Sequence, residues 1–401
     1  MVRSTKVSIR FANVGKRKAV SNFILEYRRV ASLYVEALWN VEKLPPFIPA
    51  SLKPAVETWL SARALQGVGK QVSAVIRGTR GKNEKREFVR SRLEQEGKHR
   101  QARKLQRIIS AHPAGKPDVS TMNPELDERF LFIDLTNTHT KSFDGWLQLG
   151  LGDNKFIELP FNKHRHLNKL ANMGKLRPCV SLSDEGMVLV FAVPDVPARI
   201  TGKILGVDVG VNALLSCSDG RQIKQDGQGQ GMVSISQKLA RKRRGNRSFR
   251  KASAHRENFI GWAVRQVDLS NTKQVNIEKI RNLRTGKHTN RLLSHFVYPL
   301  IFGRLKNLCE TTGVRVCEVS SVYTSQRCAK CGWTRKANRR GELFTCGACG
   351  NIGNADVNAS INISFNLPGI SRKERLRRPN LKGFYWLAEG QEHIVPDVRK
   401  T

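Results

Sequence analysis

The chain has 401 residues, enough to bury two or three cores, and 39% of them are hydrophobic, which excludes a disordered tail protein. Lys and Arg total 70 against 33 Asp and Glu, a net charge of +37. That charge runs from end to end rather than gathering beside an apolar anchor, so it points to nucleic acid as the partner and away from a membrane surface. The longest apolar runs are too short to span a bilayer. The opening MVRSTKVSIRF lacks the apolar core of a secretory signal, so a cytoplasmic protein is expected.

TKVSIRF (residues 5–11) alternates and reads as a strand. Val20, Ile24, Tyr27, Ala31, Tyr34 and Leu38 then recur at helical spacing until KLPPFIPASLKP breaks the pattern. Two more helices are expected over 56–76 and 83–109, the second densely charged with a thin apolar seam. HPAGKPDVSTMNPELD reads as a linker. From Arg129 the period changes to two. RFLFIDLT, FDGWLQLG, KFIELPFN, PCVSLS and MVLVFAVPD read as short strands of a small β-barrel or sandwich. The N-terminal strand would complete it, with the helices as an insertion. VPDVPARITG closes this half.

KILGVDVGVNALLSCSDGRQI opens the second half as three strands, with Ser218-Asp219-Gly220 as a hairpin turn. The basic stretch QKLARKRRGNRSFRK precedes a helix through HRENFIGWAVRQV. TKQVNIEKIRNL is a strand ending in an acid, RLLSHFVYPLIFGRLKNLCETTG a helix stopped by its TTG, and VRVCEV another strand. The stretch 367–401 is basic, Pro-punctuated and expected to be mostly loose. No internal repeat is visible.

Cys328, Cys331, Cys346 and Cys349 follow the pattern C-x2-C-x14-C-x2-C. Each CxxC turn aims two thiolates at one point, and two turns complete a tetrahedral sulfur site suited to Zn2+. With four protein ligands such a site is structural. Gly332 and Gly350 permit the tight turns, and GWTRKANRRGELFT has the length of a β-hairpin. An iron site or four unligated thiols would share the spacing. The remaining cysteines, Cys179, Cys217, Cys309 and Cys317, lie among apolar neighbours and read as buried small hydrophobes. That usage fits a reducing compartment rather than a disulfide framework.

Three acids stand at element ends. Asp208 lies in the strand ILGVDVG, Glu278 ends QVNIE, and Asp356 begins the helix after the cysteines in GNADVNASINI. The order strand-hairpin, strand, helix fits an RNase H-like fold in which the acids meet at one edge of a mixed sheet and hold two Mg2+ ions. Taken singly, Asp208 also fits a capped strand-end acid, Glu278 a solvated one and Asp356 an N-terminal acid favoured by the helix dipole.

GVDVGVNALLSCSDG, NIEKIRNL and TSQRCAKCG…CGACGNIGNADVNASINI resemble the split RuvC motifs and zinc ribbon of the transposon-encoded TnpB nucleases and their descendants, the miniature type V CRISPR effectors. The resemblance covers residues 204–363 well and the first half in layout only. NIEKIRNL is less apolar than the usual second motif. The implied fold is a multidomain α/β chain. A wedge-type β-barrel (1–14 and 121–200) surrounds a helical recognition insertion (15–120), followed by a RuvC nuclease (201–322), a zinc ribbon (323–352), the last nuclease motif (353–366) and the tail (367–401). The resemblance implies Asp208, Glu278 and Asp356 as catalytic Mg2+ ligands and the four cysteines as zinc ligands. It further implies a guide RNA, a double-stranded DNA target beside a short adjacent motif, and a prokaryotic, nucleoid-associated setting, with monomer and dimer both open. Arg335, Lys336, Arg339 and Arg340 in the ribbon, and Arg241, Lys242, Arg243, Arg244, Arg247, Arg250 and Lys251 between the first two motifs, are candidate phosphate contacts. Each also fits a solvated charged face. Tyr27, Tyr34 and Trp39 fit either base stacking or a core. A guided repressor that cuts nothing and an unguided RuvC-like nuclease are the alternative functions.

Overall fold

A computed structural model describes residues 1–111, 115–136, 142–152, 155–280, 295–365, 367–370 and 383–388. The chain divides into two compact units, Met1–Asp195 and Val196–Thr401. Among the described residues no helix is long and apolar enough to cross a membrane.

In the first unit, strand β1 (Val2–Ser8) leads into helix α1 (Val14–Leu38). Asn13 caps α1, its side chain accepting the Lys16 N–H at 2.8 Å. All six residues at helical spacing are buried, so Tyr27 and Tyr34 belong to the core rather than to a stacking surface. Trp39 is half-buried, with the Arg80 guanidinium 5.4 Å over its ring. The two further helices fall at α2 (Ala62–Gln95) and α3 (His99–Ala111), not at 56–76 and 83–109. Helix α2 runs through Gly78 and Gly81, a cost of roughly 1 kcal/mol each against alanine that the rest of a long helix absorbs. It stops at Gly97, where the Gly97 and Lys98 N–H groups turn back onto the Glu94 and Leu93 carbonyls at 2.9 and 2.8 Å.

The strands of this unit are β2 (Glu125–Asp127), β3 (Leu131–Asp134), β4 (Gly145–Gly152), β5 (Lys155–Phe161), β6 (Lys175–Ser183) and β7 (Gly186–Ala192). Helix α4 (Arg165–Met173) precedes β6. Neither β2 nor α4 was expected. β2 is three residues inside the linker, and α4 buries only Leu167 and Leu170, too few to set a period. The strands form two sheets, β1-β7-β6-β2 and β3-β4-β5. β1 pairs antiparallel with β7 along its whole length, Val2 opposite Ala192, so the chain returns to its first strand after the helices.

The second unit is built on β8 (Lys203–Asp208), β9 (Leu215–Cys217), β10 (Gln222–Ile223), β11 (Thr272–Glu278) and β12 (Arg315–Val319). The sheet order is β10-β9-β8-β11-β12, with β8, β11 and β12 parallel and β9 and β10 antiparallel. Three antiparallel strands joined at the first to two parallel ones give the RNase H-like arrangement. Helices α5 (Met232–Ala240), α6 (Arg247–Arg265) and α7 (Tyr298–Thr311) supply Ile235, Phe259, Ile260, Ile301 and Leu305 to a core with Leu205, Val207, Val275 and Ile277 of the sheet. Cys217 and Cys309 are buried as expected, whereas Cys179 and Cys317 are only half-buried.

Beyond β12 come β13 (Trp333–Thr334), β14 (Arg339–Arg340), β15 (Leu343–Thr345) and β16 (Ile352–Asn354), the last running straight into helix α8 (Ala355–Ser364). β14, β15 and β16 form one small sheet. β17 (Phe384–Tyr385), from the stretch expected to be loose, pairs with β13 and brings Trp386 into a buried position. The rest of that stretch, 371–382 and 389–401, lies outside the described residues, as do 281–294 with the end of the second motif and the start of the expected helix.

Candidate active site and metal centre

The parallel register sets Val207 opposite Ile277, so Asp208 and Glu278, the next residues, end adjacent strands at one sheet edge. Their carboxyl groups are within hydrogen-bonding reach. Helix α8 crosses this edge and makes the closest approach at Gly206, where a Cβ would lie 1.9 Å from the Ser360 carbonyl oxygen. Asp208 is two residues along the strand from Gly206, on the same face, and Asp356 is one helical turn before Ser360. Asp356 lies near enough for its charge to act on the Asp208 carboxyl.

The electrostatics follow from this crowding. Burial first, then the charges of Glu278 and Asp356, raise the Asp208 carboxyl well above the usual carboxylate range. Burial also raises Glu278, opposed by the Val209 N–H, which donates to its Oε1 at 3.4 Å, and by the hydrogen bond from Asp208. Asp356 is 8% exposed. Its N–H donates to the Asn354 cap at 2.9 Å, and Arg339 Nη2 donates to its Oδ1 at 2.7 Å. Two half-buried carboxyls and one buried carboxylate, all hard oxygen donors, fit divalent cations such as Mg2+.

The four cysteine sulfurs lie within 4.8 Å of one another, with Cys328–Cys349 at 3.7 Å and Cys331–Cys346 at 3.6 Å. Tetrahedral zinc with Zn–S near 2.3 Å places its sulfurs about 3.8 Å apart, so the four-cysteine cluster fits a zinc site. Gly332 and Gly350 turn the knuckles with φ of 77° and 66°, in the region that disfavours a side chain. The Ala348 and Cys349 N–H groups donate to Cys346 Sγ at 3.4 and 3.5 Å. Among the described residues these cysteines are the group tight enough to share one ion. The three acids form a looser set, with Arg339 inserted at Asp356.

The basic candidates divide. Arg241, Arg243, Arg244, Arg247, Arg250 and Lys251 are exposed and Lys242 is half-buried, on the turn before α6 and its first turns. Arg335, Lys336 and Arg340 are exposed. Arg339 is instead committed to Asp356. Sequence reasoning missed Arg339 as a carboxylate partner, because hairpin pairing of β14 with β15 is what aims it back at α8. It also missed Arg327, Asn358 and Asn362. Arg327 is fully buried, and burial pulls its guanidinium down to about 10. The fourfold spacing of Asn354, Asn358 and Asn362 was the available signal.

Sheet order and cysteine cluster together define a multidomain α/β chain with an RNase H-like sheet and a zinc-ribbon-like module. The family model for the TNB domain of Cas12f1-like proteins matches residues 300–363, from α7 through α8. The chain is 31% identical over 126 residues to the CRISPR-associated endodeoxyribonuclease Cas12f1 of Sulfoacidibacillus thermotolerans, covering 31% of this chain and 28% of that relative. It is 36% identical over 95 residues to a TnpB-like protein of Aquifex aeolicus (strain VF5), covering 22% of this chain and 31% of the relative. The chain thus spans about a third or less of the length of the curated relatives it matches. A cryo-EM structure of a Cas12f1–sgRNA–target DNA complex aligns over 91% of this chain and 99% of that one, at 17% identity and a TM-score of 0.33. The sequence similarities relate the chain to TnpB and the miniature type V CRISPR effectors.

Proposed function

We propose that this chain is an RNA-guided DNA endonuclease, TnpB-like or a miniature type V effector, with one RuvC site at Asp208, Glu278 and Asp356. The observation that carries the reading is the meeting of three acids from distant stretches of sequence at one sheet edge, under a helix that starts beside the cysteine cluster. Two Mg2+ ions bound there would supply a Lewis acid and an activated water for phosphodiester hydrolysis. Burial favours the neutral forms of Asp208 and Glu278, and a bound cation would favour their ionised forms. The Asn354 cap orients Asp356, and Arg339 offsets its charge in the cation-free protein. The four cysteines would hold one structural zinc.

A guide RNA and its heteroduplex present many phosphates, and the net charge of +37 suits them. Base pairing would then read the sequence, with the protein reading a short motif beside the double-stranded target. The helices of 15–120 and a wedge-type barrel of 1–14 and 121–200 would hold the heteroduplex. The exposed cations from Arg241 to Lys251, with Arg335, Lys336 and Arg340, would hold backbone phosphates. A guided repressor has no need of a half-buried Asp208–Glu278 pair held beside Asp356 at the cost of desolvation, which favours the nuclease. RNA sequencing after purification of the full chain, followed by Mg2+-dependent cleavage of a matching duplex, tests the proposal. Cleavage should disappear in Asp208→Ala, Glu278→Ala and Asp356→Ala while guide and target binding persist. Loss of binding in step with cutting would contradict these roles, and absence of bound RNA would favour an unguided nuclease.

A further inference from the structure

Helix α8 is gripped on two opposite faces. At about 100° per residue, Asp356 and Ser360 share one face and Asn354, Asn358 and Asn362 the other. The first face rests on β8 at Gly206. The second meets the backbone around Cys328. Asn358 Nδ2 donates to the Arg327 carbonyl at 2.7 Å, and its Oδ1 accepts the Ala329 N–H at 2.9 Å. Asn362 Nδ2 donates to the Arg327 and Thr324 carbonyls at 2.7 and 2.9 Å. The Arg327 guanidinium returns the contact, with Nη1 donating to Asn362 Oδ1 at 2.5 Å and Nε to the Trp386 carbonyl at 2.6 Å. Arg327 and Asn362 are 0% exposed and Asn358 is 5% exposed.

We propose that Arg327, Asn358 and Asn362 are positioning residues that clamp α8 to the cysteine knuckle, so that closing the four-cysteine site fixes where Asp356 stands beside Asp208. A helix could be seated by apolar packing alone, without the desolvation cost of a guanidinium and two amides. Hydrogen bonds at two points one turn apart do what apolar packing does not: they forbid the helix to slide or roll against the knuckle. The bonds bracket Cys328, a cluster cysteine, on both sides, through the carbonyl of residue 327 and the N–H of residue 329. Any change that opens the knuckle is therefore carried to α8. Only the last step, to the carboxylate cluster, rests on the nuclease reading.

The test uses the full chain with Mn2+ alone as the probe of the carboxylates. Stripping zinc with a chelator should speed hydrogen exchange over 355–364 about tenfold or more while β8 and β11 stay protected. The double variant Asn358→Ala/Asn362→Ala should keep one zinc per chain, yet bind Mn2+ about tenfold more weakly and exchange faster over α8. Residues that only stabilise the fold would lower the melting temperature and leave the Mn2+ affinity of the folded protein unchanged. Unaltered α8 exchange after zinc removal, or Mn2+ affinity within about twofold of wild type in the double variant, overturns the clamp. Should the double variant not fold, exchange in the zinc-stripped wild type decides. If Asp208→Ala leaves Mn2+ binding intact, the nuclease reading fails instead, and α8 exchange alone judges the clamp.

Discussion

Replacing Gly206 by alanine adds one methyl group at the point where helix and strand backbones touch. The new Cβ would lie 1.9 Å from the Ser360 carbonyl oxygen and 2.6 Å from the Ser364 N. Ordinary contact begins at 3.4 Å, so α8 must retreat by about 1.5 Å, and both obstacles are backbone atoms that no side-chain rotation can move. Overpacking of this kind costs about 1–3 kcal/mol. The retreat lifts Asp356 from Asp208, and a misplacement of about 1 Å at a reacting centre can cost about a hundredfold in rate. Thermal melting of Gly206→Ala should show the first effect, and single-turnover cleavage with guide and Mg2+ the second. Gly227→Ala is the control, an exposed position with no atom within 4 Å of the added carbon. A Gly206→Ala protein that melts and cleaves like the control would refute the placement of α8 on β8.

The remaining expectations concern charge and metal. The Asp208 pKa is higher folded than unfolded, so its contribution to stability is full below the ordinary carboxylate range and is lost as pH rises through the raised value. In cation-free buffer Asp208→Asn should therefore gain on wild type between pH 5 and 8, by roughly 1.4 kcal/mol for each tenfold rise in proton affinity; melting curves that stay parallel across that range would contradict it. Arg339→Ala frees Asp356 of its counter-charge and should tighten Mn2+ binding about threefold to tenfold by calorimetry, the worth of a partly exposed ion pair. Weaker binding would mean that Arg339 supports the cation rather than competing with it. Cys346→Ser should bring zinc well below one per chain by emission spectroscopy, and full retention would remove the cysteine cluster as its site.

Much of the second unit was readable because its signals are local. A CxxC pair needs only its own turn, and Asp208 stands at the end of a short apolar strand, whereas Glu278 ends a more polar one. The buried set from Val20 to Leu38 was legible for the same reason, since one helix face determines it. Long-range pairing was harder. The return of the chain to β1 was anticipated from layout, but the short β2 and α4 carry too few apolar residues to show a period. Helix α2 runs unbroken across the gap left between the two expected helices, where Gly78 and Gly81 lie, because neighbouring helical residues outweigh them. Arg339 read as a surface cation until hairpin geometry turned it toward Asp356, and Arg327 hid because a fully buried arginine is rare enough never to be a first guess.

Anomalous diffraction from a crystal of the full chain soaked in Mn2+ should show ions held jointly by Asp208, Glu278 and Asp356, about 3.5–4 Å apart where two are bound. Mn2+ located elsewhere, with these three carboxylates left unliganded, would contradict the shared site.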